Sequence, residues 1–67
     1  EPVASNIQRI ISEKGLKQSA VAVRANFTPN AFSAMVRGRK FIKPCDVNII
    51  ARALGVSVNE LYKKGDD

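Results

Sequence analysis

Apolar residues recur along the chain at helical spacing, in short runs that stop at glycine or asparagine. Ile7, Ile10 and Ile11 share one face, and Gly15 ends the run, which predicts a first helix over residues 6–14. Ser5, followed three residues later by Gln8, has capping-box spacing and marks the expected start. Leu16 covers the junction to a second helix, residues 18–25, with Val21, Ala22 and Ala25 inward. Small side chains at Ala22 and Ala25 let another helix cross closely, because nothing long holds the backbones apart. In the turn that follows, Asn26 accepts positive φ, Phe27 plugs the core, Thr28 caps and Pro29 suits a first helical position. A third helix from Pro29 to Val36 follows, with Phe32, Met35 and Val36 as its apolar stripe, and Gly38 ends it.

The connection from Arg39 to Pro44 needs Phe41 or Ile42 turned inward. A fourth helix begins near Pro44 or Cys45, places Asp46 in its first turn, where a carboxylate opposes the helix dipole, and faces Val47, Ile50, Ala51 and Leu54 to the core before Gly55. Ser57 and Glu60 again have capping-box spacing, and Val56 with Leu61 matches a hydrophobic staple, which predicts a fifth helix. Gly65-Asp66-Asp67 is a frayed end. The pattern is all-α: one domain over residues 1–67, five short helices, ordered core about 5–63. A chain of this length buries about 60% of its unfolded surface, enough for a single core. Phe27, Phe32, Met35 and Phe41 are assigned to that core, and Cys45 is a small, semi-buried residue.

Charge changes the picture. The sequence has 11 Lys plus Arg against 6 Asp plus Glu, a formal +5. The excess is concentrated between Asn26 and Lys43, where Arg37, Arg39, Lys40 and Lys43 stand without an acidic residue. A polyanion is drawn to that stretch; a solvated basic face is the plainer alternative. A helix leading into a tight basic loop can lie in a DNA groove while the loop grips the phosphates beside it.

Other chemistry is poorly provided for. Cys45 is the one cysteine and histidine is absent, so neither an internal disulfide nor a zinc-finger spacing is available, and no metal or cofactor is expected. A lone thiol fits a reducing compartment, the cytoplasm. Without Cys-His or Ser-His-Asp sets or a Gly-rich phosphate loop, an enzyme is not expected. No apolar run reaches the roughly 20 residues that span a bilayer.

Gly15-Leu16-Lys17-Gln18, Val21-Ala22, Phe27-Thr28, Phe32-Ser33, Arg37-Gly38-Arg39-Lys40, Ile50-Ala51-Arg52-Ala53-Leu54-Gly55-Val56-Ser57 and Leu61 resemble the Cro and cI type phage-repressor helix-turn-helix family. The resemblance covers about residues 5–63 without a gap. It implies a compact five-helix, lambda-repressor-like domain that binds double-stranded operator DNA as a homodimer, usually as a transcriptional repressor, with helix 29–36 in the major groove. By position, Pro29, Asn30, Ala31, Ser33 and Ala34 lie where relatives face bases, and Lys17, Gln18, Thr28, Arg37, Arg39, Lys40 and Lys43 lie near the phosphates. Dimer contacts in the family often use the last two helices, which makes Val56, Val58, Leu61 and Tyr62 candidates, although these residues could equally finish the monomer core.

Departures from the family pattern carry physical consequences. Lys17 stands where a Thr or Ser cap is usual, at a cost of ~1 kcal/mol of capping. Ile11 and Val36 replace an arginine and a glutamate that pair across helices one and three, and an apolar contact there spares the desolvation of two charges. Among the base-facing residues only Asn30 has a bidentate side chain, suited to the N6/N7 edge of adenine; Ala31 or Ala34 can meet a thymine methyl, and Ser33 suits several partners. The competing function is a small helical protein-interaction module, antitoxin-like or oligomerising.

Overall fold

In the computed structural model, which describes residues 2–63, the chain forms α1 (Pro2–Lys14), α2 (Gln18–Arg24), α3 (Pro29–Val36), α4 (Pro44–Leu54) and α5 (Val58–Tyr62). The expected fray at Gly65-Asp66-Asp67 lies outside the described residues. No strand occurs among those described, and the all-α architecture matches the periodicity.

The first four helices end alike. Each closes on a residue with positive φ: Gly15, Asn26, Gly38 and Gly55. The next N–H then reaches back five residues, as Leu16 to the Ile11 carbonyl at 3.0 Å, Phe27 to Ala22 at 2.9 Å, Arg39 to Ala34 at 2.8 Å and Val56 to Ala51 at 3.0 Å. This Schellman closure satisfies carbonyls that a helix end would otherwise leave unpaired. Asn26, at φ 62°, does between α2 and α3 what glycine does elsewhere, since its short amide side chain tolerates the left-handed region.

The core is one cluster that draws on every helix: Val3, Ile7 and Ile10 from α1, Val21 and Ala22 from α2, Phe32, Met35 and Val36 from α3, Val47, Ile50, Ala51 and Leu54 from α4, and Leu61 from α5. Ala22 and Ala25 are fully buried, as the close α2–α3 crossing requires. Phe27 is half-buried and stacks on Phe32, with ring centroids 6.2 Å apart and planes within 10°. Ile11 packs against the cluster that contains Val36, so both sides of the missing ion pair contribute to apolar packing.

Several expectations are corrected. α1 starts at Pro2 rather than near Asn6, which puts Ser5 inside the helix and removes the Ser5–Gln8 capping box. Burial of Val3 and Ala4 extends the helix upstream, a tertiary effect that overrides a local start signal. Gln8 instead donates from Nε2 to the Val36 carbonyl at 2.6 Å, closing a free acceptor at the end of α3. The Ser57 side chain makes no capping bond either. The Glu60 N–H donates to the Ser57 carbonyl at 3.1 Å instead, and buried Leu61 anchors this single turn.

Of the two apolar loop residues, Ile42 tucks inward at 7% exposure, while Phe41 stands in solvent at 72%. Adjacent residues in an extended segment point to opposite sides, so one of the two had to face outward. Cys45 is exposed rather than semi-buried, because the buried stripe of α4 runs through Val47, Ile50, Ala51 and Leu54.

The most consequential polar residue is Asn6, buried at 4% exposure. Its Nδ2 donates to the Leu61 carbonyl at 2.8 Å and to the Lys63 carbonyl at 2.6 Å. Its Oδ1 accepts from Arg9 at 3.3 Å. One amide thereby fastens the first helix to the last.

Two stability outcomes are expected in urea titrations. Asn6→Ala destabilises by about 1–3 kcal/mol, because two carbonyls lose their donor; a change below about 0.5 kcal/mol would show that the clamp carries no energy. Ile42→Ala costs about 2–5 kcal/mol, whereas Phe41→Ser stays within about 0.5 kcal/mol, and the reverse ranking would place the wrong side chain in the core.

Candidate nucleic-acid interface

The outward face of α3 follows from its inward one. With Phe32, Met35 and Val36 buried, the intervening positions must lie toward solvent in a 3.6-residue repeat. Pro29 and Asn30 are exposed, and Ala31, Ser33 and Ala34 are half-buried along the edges of that face. Neither Asn30 nor Ser33 spends its side chain on a hydrogen bond among the described residues.

Thr28 fixes where the helix begins. Its Oγ1 accepts from the Ala31 N–H at 3.1 Å, and Pro29 occupies the first turn, where a missing N–H costs nothing. Thr28 is exposed, and a hydroxyl that accepts one bond still has a proton to donate. Gln18, half-buried, opens α2, and the exposed Lys17 precedes it with no side-chain cap, in keeping with the loss of the usual Thr or Ser.

The basic loop is held against the exit of α3 by its own backbone. The Ala34 carbonyl accepts from the Arg39 N–H at 2.8 Å and from the Lys40 N–H at 3.2 Å, while Gly38 donates to Met35 at 3.1 Å. Gly38, at φ 77°, permits this reversal, which a residue with a side chain adopts only with strain. Arg37, Arg39, Lys40 and Lys43 are all exposed, and the ion pair found among the described residues, Arg9–Glu13 at 3.2 Å, involves none of them. Lys43 caps α4 through its backbone, its N–H donating to the Asp46 carboxylate at 3.3 Å, a bond in which its ammonium takes no part.

The candidate dimer residues divide. Leu61 is fully buried in the monomer core, Val56 and Val58 are half-buried and pack against that core, and Tyr62 keeps 49% of its surface exposed. Sequence reasoning missed Asn6 and Gln8 as long-range donors. Their signals, a helical Asn beside apolar neighbours and a glutamine matched to a capping box, indicate no partner 55 or 28 residues away.

Residues 7–62 match the family model described as a helix-turn-helix domain. The chain is 38% identical over 65 residues to an HTH-type transcriptional regulator, y4dJ, of Sinorhizobium fredii, covering 97% of this chain and 84% of that one. Its fold is that of the clp gene regulator ClgR from C. glutamicum, with a TM-score of 0.87 at 24% identity over 92% of this chain and 80% of that chain. It is equally that of the restriction-modification controller protein C.AhdI from Aeromonas hydrophila, with a TM-score of 0.83 at 20% identity over 90% and 91%. The chain thus belongs to the helix-turn-helix domain family of DNA-binding transcriptional regulators.

Proposed function

We propose that this protein reads a specific double-stranded DNA operator by laying α3 in the major groove, and that it acts in the cytoplasm as a transcriptional repressor. The observation that carries the reading is the joining of two features at one place. The solvent face of α3 offers Asn30 and Ser33 unspent, and the loop bonded back to Ala34 presents four exposed cations beside it. An α-helix with its side chains is about 10–12 Å across, and the major groove is about 12 Å wide.

Roles follow from chemistry. Asn30 donates and accepts at the N6/N7 edge of adenine, Ala31 and Ala34 meet thymine methyls, and Ser33 bonds a base edge or a phosphate. Lys17, Gln18, Thr28, Arg37, Arg39, Lys40 and Lys43 position the domain on the backbone and contribute sequence-independent affinity. No cofactor and no catalysis enter this scheme.

Two copies complete the operator. Each protomer measures 32 × 24 × 18 Å, a size that suits two third helices about 34 Å apart in successive major grooves. Tyr62, with the exposed edges of Val56 and Val58, forms the isologous contact, and Leu61 supports it from within. A protein-interaction module that used α3 itself would have no need of four cations at that helix's exit.

Operator selection from randomised duplexes, followed by salt titration, tests the reading. Asn30→Ala loses about 1–3 kcal/mol of preference at one base pair. Arg39→Ala with Lys40→Ala weakens binding to all duplexes and lowers the salt slope by about 1 for each charge removed. Equal binding to every duplex, or an unchanged slope, overturns the proposal. For the dimer, Tyr62→Glu lowers affinity for a two-half-site operator and leaves half-site binding intact in mobility-shift titrations; equal loss on both duplexes removes Tyr62 from the contact.

A further inference from the structure

A second charged surface lies between α2 and α4. An open cleft of about 360 Å³ is lined by Arg24, Ile49, Arg52 and Ala53. Ile49 is 41% exposed, and Val23, next to Arg24 in the chain, is 67% exposed. Arg24 and Arg52 are both exposed, and neither makes a hydrogen bond or ion pair among the described residues. The lining holds no carboxylate.

We propose that this cleft docks an acidic amphipathic helix of a partner protein. Two guanidinium groups over an aliphatic floor ask for an occupant that brings carboxylates and an apolar side chain together. A guanidinium pairs with carboxylate in a planar fork and keeps its charge at any physiological pH. An aliphatic floor gains nothing from a phosphate backbone, which offers charge and no matching apolar surface, but it gains from a leucine or phenylalanine taken out of water. The floor rises from α4 and one wall from α2, and among the described residues there is no strand edge to extend. The fitting geometry is therefore a helix that sets anchors three and four residues apart into the groove.

The cleft is also set apart from the phosphate-gripping groups. Gln18 and Arg24 occupy opposite ends of α2, about 9 Å apart along its axis, and Lys43 caps the opposite end of α4 from Arg52, about 13 Å away. A partner seated here leaves the outer face of α3 free, so this proposal does not depend on how α3 reads DNA.

The test uses the whole chain, ¹⁵N-labelled, titrated with an amphipathic peptide of about 16 residues carrying leucines at i, i+4 and i+7 flanked by glutamates. Amide shifts concentrated at Val23, Arg24, Ile49, Arg52 and Ala53 are expected, with little change along Pro29–Val36. Arg24→Gln with Arg52→Gln weakens the peptide about tenfold and leaves duplex affinity unchanged, and Ile49→Ser weakens it independently. Equal binding of a peptide with lysines in place of the glutamates overturns the proposal. So does peptide affinity indifferent to both variants, or perturbation of the cleft by duplex DNA in place of the peptide, which would assign the arginines to phosphates.

Discussion

The structure depends on one constraint: α3 is too short to stand without a core under one of its faces. An isolated helix of eight residues is unstable in water, since so few hydrogen bonds do not offset the entropy of nucleating it. Phe32, Met35 and Val36 are held chiefly by α1 and α2, and burial of such side chains is worth about 1.5–3 kcal/mol each. Because that stripe is immovable, the opposite face is presented at a fixed angle. The exposure of Asn30 is thus a result of packing several residues away from it.

Polar bonds then complete what apolar packing leaves open. Gln8 closes the Val36 carbonyl at the end of α3, and Ala34 takes the two N–H groups that bring the basic loop back. Together they bind both the body of α1 and the cationic loop to the same helix end. Lys17 shows the opposite economy: α2 begins without a side-chain cap, and the buried Val21 and Ala22 hold it in place. Asn6 performs the corresponding task at the chain's extremities, where α5 is a single turn that lacks the length to hold itself.

Charge is distributed on the same frame. The cations between Arg37 and Lys43 follow α3, where its last turn carries no basic residue of its own, while Arg24 and Arg52 lie in the last turns of α2 and α4 and line a cleft with an aliphatic floor. One small core thus supports two cationic surfaces of different character, one polar and loop-borne, the other partly apolar and helix-borne.

Much of this was legible in the order of residues. The bounds of α3, the inward stripe of α4, the positive φ of Asn26, the Thr28 cap and the grouping of cations after Val36 all depend on neighbours within four or five positions, the range over which backbone hydrogen bonds and helical periodicity act. Those same signals fail where distant residues intervene. Ser5 and Gln8 have the spacing of a cap, yet burial of Val3 and Ala4 carries α1 past them. Phe41 and Ile42 are equally apolar, and only the shape of the core beneath the loop selects Ile42. Nothing local marks Asn6 as a clamp, or Arg24 and Arg52 as neighbours, because those relations exist only once the helices have packed. The sequence by itself thus determined the helices and the sign of the charge after α3, since both arise between near neighbours. Tertiary structure alone decided between side chains with equal local claims on the core, taking Ile42 and leaving Phe41 in solvent, since a finite core volume is shared among segments far apart in the chain.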